Sequence, residues 1–98
     1  MSHKHQSLLY SIFQDPLRSN IHWREVESLL HHLEATIEPI LGARFRVTLN
    51  GYEFILHHPH KGNECSKQEI KHLRECLSNA GMTPSGYDQK FGRAAGPE

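Results

Sequence analysis

No stretch of this chain approaches the roughly 18 consecutive apolar residues that a membrane-spanning helix needs. The opening residues, Met1-Ser2-His3-Lys4-His5, are polar, and no apolar leader segment follows them. Cysteine is scarce, at Cys65 and Cys76 only. Two cysteines build neither a multi-disulfide framework nor a four-thiolate zinc site. These absences lead us to expect a reducing cytoplasm, no membrane contact, and both cysteines as thiols in packing or surface positions. An excess of one charge is also missing. Eleven Lys and Arg balance eleven Asp and Glu, so global charge does not explain binding.

What is present is a lean globular mixture, 37% hydrophobic and 22% charged. At 98 residues the chain makes one small domain with a two-layered core. There is no internal repeat. Leu8, Leu9, Ile12 and Phe13 share one face of a short helix over about 5–14, which Asp15-Pro16 ends. Residues 17–21 read as a connector. A second helix over about 22–33 carries Trp23, Val26, Leu29, Leu30 and Leu33 at helical spacing. Asn20 is its expected cap. Thr36-Ile37-Glu38 reads as a short strand that Pro39 confines to an edge.

Residues 44–49 alternate in hydrophobicity, Asn50-Gly51 signals a two-residue hairpin turn, and residues 52–57 return as the partner strand. That turn fixes the register and pairs Arg44 with His57. Phe45, Val47, Leu49, Tyr52, Phe54 and Leu56 then face a core. Arg44, Arg46, Thr48, Glu53, Ile55 and His57 face outward. A polar loop follows over about 58–66. Ser66 and Glu69 have capping-box spacing for a last helix carrying Ile70, Leu73, Cys76, Leu77 and Ala80, with Gly81 as its terminator. Residues 84–98 lose the apolar pattern and read as a flexible tail. The expected fold is α+β, with helices on one face of a small antiparallel sheet and one additional N-terminal helix.

The charge is uneven along the chain. Residues 42–74 hold six basic residues, including Arg44, Arg46, Lys61, Lys67 and Lys71, against three acidic ones. The first 41 residues hold three against five. The hairpin, loop and last helix thus form the positive part, which suits a polyanion or serves as an ordinary solvated face.

His57, His58 and His60 crowd the end of the second hairpin strand, just before Lys61. Imidazole titrates near neutral pH, so a pair supplies both a base and an acid. On RNA the base takes the 2′-hydroxyl proton and the acid protonates the leaving 5′-oxygen, with Arg or Lys steadying the charged phosphorus oxygens. Zinc binding by these histidines with Cys65 is a second reading, although the spacing matches no standard zinc motif. Plain surface histidines are a third.

The chain resembles the HicA toxins of bacterial type II toxin–antitoxin systems over 21–83. The residues that carry this are Trp23-Arg24-Glu25, Gly42 before the hairpin, His57-His58-Pro59-His60-Lys61, and the closing pattern Ile70, Leu73, Leu77, Ala80-Gly81-Met82. The resemblance implies three segments: an N-terminal helix and connector over 1–20, the HicA-like domain over 21–83, and a tail over 84–98. It implies a double-stranded-RNA-binding-like α-β-β-β-α sandwich with an additional N-terminal helix. It also implies mRNA binding and cleavage and a HicB-type antitoxin as partner; since an imidazole pair works without a metal, no cofactor or metal is expected. The family's catalytic histidine lies in a Gly-Ser-His motif, where this chain has Gly42-Ala43-Arg44. The cross-strand neighbour His57 is the expected substitute base and His60 the acid; the alternative is that catalysis is lost and the domain is a non-catalytic RNA-binding or protein-interaction module. Arg44, Arg46, His58, Lys61, Lys67 and Lys71 are the expected RNA contacts.

Overall fold

The structure is a computed structural model and describes residues 4–15, 21–59 and 62–91. Its elements run α1 (Lys4–Ile12), α2 (Trp23–His32), β1 (Thr36–Ile40), β2 (Arg44–Leu49), β3 (Tyr52–His57), α3 (Lys67–Asn79) and α4 (Pro84–Phe91). The three strands form one antiparallel sheet in the order β1-β2-β3. The fold is thus α+β, an α-β-β-β-α core formed by α2 to α3 with an extra helix at the N-terminal side. A further helix, α4, follows that core.

Asn50 and Gly51 both take positive φ, as a tight hairpin turn requires. The register is the one that turn predicts, from Leu49 opposite Tyr52 to Arg44 opposite His57. Val47, Leu49, Phe54 and Leu56 are buried on the inner face, while Arg44, Arg46, Glu53 and His57 are exposed on the outer one. β1 is an edge strand, so Pro39 removes no bond from a strand beyond it. The Asn50 side-chain amide also donates to the Ala80 carbonyl at 2.8 Å, tying the turn to the end of α3.

The helices start and stop for local reasons. Ser66 accepts from the Glu69 backbone N–H at 3.1 Å while the Glu69 carboxylate accepts from Ser66 N–H at 2.7 Å. Gly81 at φ +79° ends α3, and Met82 N–H reaches back to the Leu77 carbonyl at 2.8 Å. α2 begins one residue later than expected. His22, not Asn20, stands at its cap position, because His22 is held extended in a bridge with Glu64. The Glu25 carboxylate accepts the His22 N–H at 2.9 Å. Asn20 lies outside the described residues.

The expected tail needs correction over Pro84–Phe91, which is helix α4 with Tyr87 buried. Thr83 accepts the Gly86 N–H on its side chain at 3.1 Å, and Pro84 fits the first helical turn, where its missing N–H costs nothing. A Cβ at Gly86 would strike the Gly81 carbonyl, so glycine lets α4 lie close against the end of α3. Residues 92–98 of that expected tail lie outside the described residues.

α1 lays Leu8, Leu9 and Ile12 on the core and packs against α2, α3 and α4. Arg74 of α3 fastens its C-terminal end, donating to the carbonyls of Ile12 at 2.9 Å and Gln14 at 2.7 Å.

One terminus is strained. α2 closes with Ala35 N–H on the Leu30 carbonyl and Glu34 N–H on the His31 carbonyl, both at 3.0 Å. Glu34 takes the left-handed position there at φ 66°, which disfavours a side chain. Glu34→Gly therefore stabilises the protein by about 0.5–1 kcal/mol, read as a shift in thermal midpoint. A lower midpoint would contradict this account of the terminus.

Candidate nucleic-acid interface

The candidate site forms where β3 ends. In a two-residue hairpin, Tyr52, Phe54 and Leu56 exchange backbone bonds with β2, so Ile55 and His57 turn theirs to the free edge. α3 runs along that edge, and His72 Nε2 donates to the Ile55 carbonyl at 2.9 Å. Below this contact lies a cavity of about 260 Å³. Its walls are largely apolar, including Trp23, Val26, Leu56 and Ile70. Its polar lining includes His57, Gln68 and His72, all three exposed.

His57 is exposed, on the same sheet face as Arg44 and opposite it in the register. Arg44 is also exposed, and its Nε donates to the Leu41 carbonyl at 2.8 Å. Arg46 is engaged elsewhere on that face, 3.2 Å from the Glu38 carboxylate and 3.0 Å from that of Glu53. The outer sheet face thus carries two arginines and two glutamates and is close to neutral, not cationic. Lys67 and Lys71 are exposed on α3, next in sequence to the cavity residues Gln68 and His72.

His58 stands apart from His57. It is half-buried, its ring 5.6 Å from that of Trp23, and its Nδ1 donates to the Pro59 carbonyl at 2.9 Å. His60 and Lys61 lie outside the described residues. The following segment is stitched to the start of α2. Trp23 N–H donates to the Asn63 carbonyl and Cys65 N–H to that of Ile21.

Both cysteines are buried thiols. Burial, with Glu69 and Glu25 adding to it, pushes Cys65 up to about 11, and burial with Glu75 does the same for Cys76. Neither is a thiolate near neutral pH. Among the described residues, no three His, Cys, Asp or Glu side chains are grouped to hold a metal ion.

Sequence reasoning missed the two carboxylates around Arg46. Glu38 is its direct partner on β1 and Glu53 a diagonal one on β3, so the register alone carried that signal. It also missed a second histidine group, which joins the added helices. His5 stacks on His32 with ring centres 4.4 Å apart, and His32 stacks on Phe91 at 4.9 Å. His32 Nε2 lies 3.0 Å from the Tyr87 hydroxyl, and His5 Nε2 lies 2.9 Å from Ser28 Oγ. Gln6 and Tyr10 both donate to Asp88, closing the contact between α1 and α4.

Burial, then His32, then Lys4 hold His5 below the usual imidazole value of 6.5. A depressed histidine is neutral in the fold and takes up its proton more readily when unfolded. Its stabilising contribution is therefore present above 6.5 and is lost as pH falls through the lower folded value. Melting should weaken between pH 7.5 and 5, and His5→Phe, which keeps a stacking ring, should flatten that dependence. An equally steep profile in the variant would remove His5 as its source.

No helix of the described residues is long and apolar enough to cross a membrane. Comparison with protein-family models, curated proteins and solved structures finds no match for this chain.

Proposed function

We propose that this protein is an RNA-directed toxin of the HicA-like class, a cytoplasmic mRNA endoribonuclease that needs no metal, with a HicB-type antitoxin as its partner. The observation that carries the reading is the placement of His57. It is exposed, opposite Arg44, at a largely apolar cavity of about 260 Å³ beside the sheet edge. The α-β-β-β-α core is the arrangement that the resemblance implies.

In this reading His57 takes the 2′-hydroxyl proton, and the 2′-oxygen attacks the adjacent phosphorus. The bond from phosphorus to the 5′-oxygen breaks, and His60 gives that oxygen its proton. The products are a 2′,3′-cyclic phosphate and a 5′-hydroxyl. Two imidazoles supply both proton transfers, so no metal-bound water is called for. Arg44 steadies the negative phosphorus oxygens.

Exposed Arg44, Lys67 and Lys71 are the favoured phosphate contacts, and Lys61, outside the described residues, is a further candidate by sequence alone. Arg46, already bridging two carboxylates, is a poorer one. Each phosphate contact to a single strand contributes about 0.7 to the slope of log affinity against log salt. Arg44→Ala should lower that slope by about this amount, and Arg46→Ala should leave it nearly unchanged. Equal slopes for wild type and Arg44→Ala would take the hairpin end out of the interface.

A second reading, a non-catalytic module that binds a protein or RNA, has its own support. The outer sheet face is near neutral, and Leu41 at its edge is 86% exposed. Both features suit a protein partner better than a polyanion.

A further inference from the structure

We infer that the cavity between β3 and α3 receives a purine base of the bound RNA strand, an inference that rests on the RNA reading above. Its size is the first argument. An apolar cavity of about 150 Å³ is enough for benzene, so one of about 260 Å³ suits a two-ring system, while drug-sized ligands need more. Its chemistry is the second. Trp23 and Leu56 offer apolar and aromatic surface to the faces of a flat ring, and Gln68 and His72 offer hydrogen-bonding groups to its edge. Single-stranded RNA is read in this way, with a base turned out of the strand and held against aromatic side chains.

The charge around the cavity is the third argument. Exposed Lys67 and Lys71 flank Gln68 and His72 on the α3 side, and exposed Arg44 lies across from His57 on the sheet side. A nucleotide whose base enters the cavity has its phosphates between these cations. Glu69 also lines the cavity, but its carboxylate is committed to the Ser66 N–H. Insertion of the base would bring its ribose 2′-hydroxyl to the mouth, where His57 stands. The cavity therefore supplies a register for cleavage, beside a purine.

Trp23 is the only tryptophan of the chain, so its fluorescence reports on the cavity directly. The test uses two uncleavable, fully 2′-O-methylated RNAs, an oligouridine and the same oligomer with one central adenine. The adenine-containing RNA should quench Trp23 and bind about ten-fold more tightly by anisotropy, the scale of one added base stack. Gln68→Phe places a bulky ring at the mouth from an exposed helix position, so the fold is kept. It should erase the ten-fold preference, read as the ratio of the two affinities within the same variant, and a ten-fold ratio kept in this variant would also overturn the base site. Equal binding of both RNAs with Trp23 undisturbed would overturn the base site while leaving RNA binding in place. No anisotropy change with either RNA would overturn the RNA reading and the base site with it.

Discussion

Val47→Asp should leave the protein without a cooperative melt. Val47 sits at the centre of β2, fully buried, between Ile37 of β1 and Phe54 of β3. A carboxylate there has no cation within the core, since no charged residue is buried among the described residues. An unpaired buried charge costs several kcal/mol, against a total stability of about 5–15 for a small domain. Thr48→Asn, one residue along and on the outer face, should change stability by less than about 1 kcal/mol. Far-UV circular dichroism on heating separates the two. A Val47→Asp protein that melts like wild type would mean that β2 does not bury this face.

His57→Ala should lower RNA cleavage by roughly 10²–10⁴-fold, the usual range for one lost acid–base group. Its side chain is exposed, so melting temperature and RNA affinity should hardly move. His58→Ala gives the opposite pattern. Its ring packs near Trp23 and Phe45, so its removal should lower the melting temperature and leave the cleavage rate of the folded protein intact. The pair separates chemistry from packing within two adjacent residues. Full cleavage by His57→Ala would end its role as base, and cleavage abolished by EDTA would move the histidines to a metal site.

The sheet and the last core helix were legible because their signals are local. Asn50-Gly51 admits one kind of turn, and alternation on either side leaves one register that buries Val47 and Phe54 together. Ser66, Glu69 and Gly81 mark the ends of α3 by side-chain and backbone chemistry within a few residues. α4 is hard to see in the sequence because residues 84–98 lose the apolar pattern. Thr83-Pro84 is in fact a helix-start signal, and Gly86 answers to the Gly81 carbonyl, a contact that only the tertiary structure reveals.

The candidate site was legible in part. The pairing of His57 with Arg44 follows from the register and is present. The charge on that face does not follow from composition, since Glu38 enters it from β1, whose pairing had no turn signal as strong as Asn50-Gly51. Arg74, counted in the sequence with the positive region, is spent on the carbonyls at the end of α1. The cavity was not legible at all. It depends on how far α3 stands from the β3 edge, where His72 meets the Ile55 carbonyl, and that spacing belongs to the tertiary packing. The ring group of His5, His32 and Phe91 was hidden for a related reason, because its members come from three helices far apart in the chain.

The most direct measurement follows the ends of a labelled RNA incubated with the purified, partner-free protein in EDTA. One substrate keeps every 2′-hydroxyl, and a second carries a methyl group on the 2′-oxygen at the cleavage position. The account predicts that the first is cut to a 2′,3′-cyclic phosphate and a 5′-hydroxyl, and that the second stays whole at that position. An intact first substrate, or equal cutting of both, would contradict it.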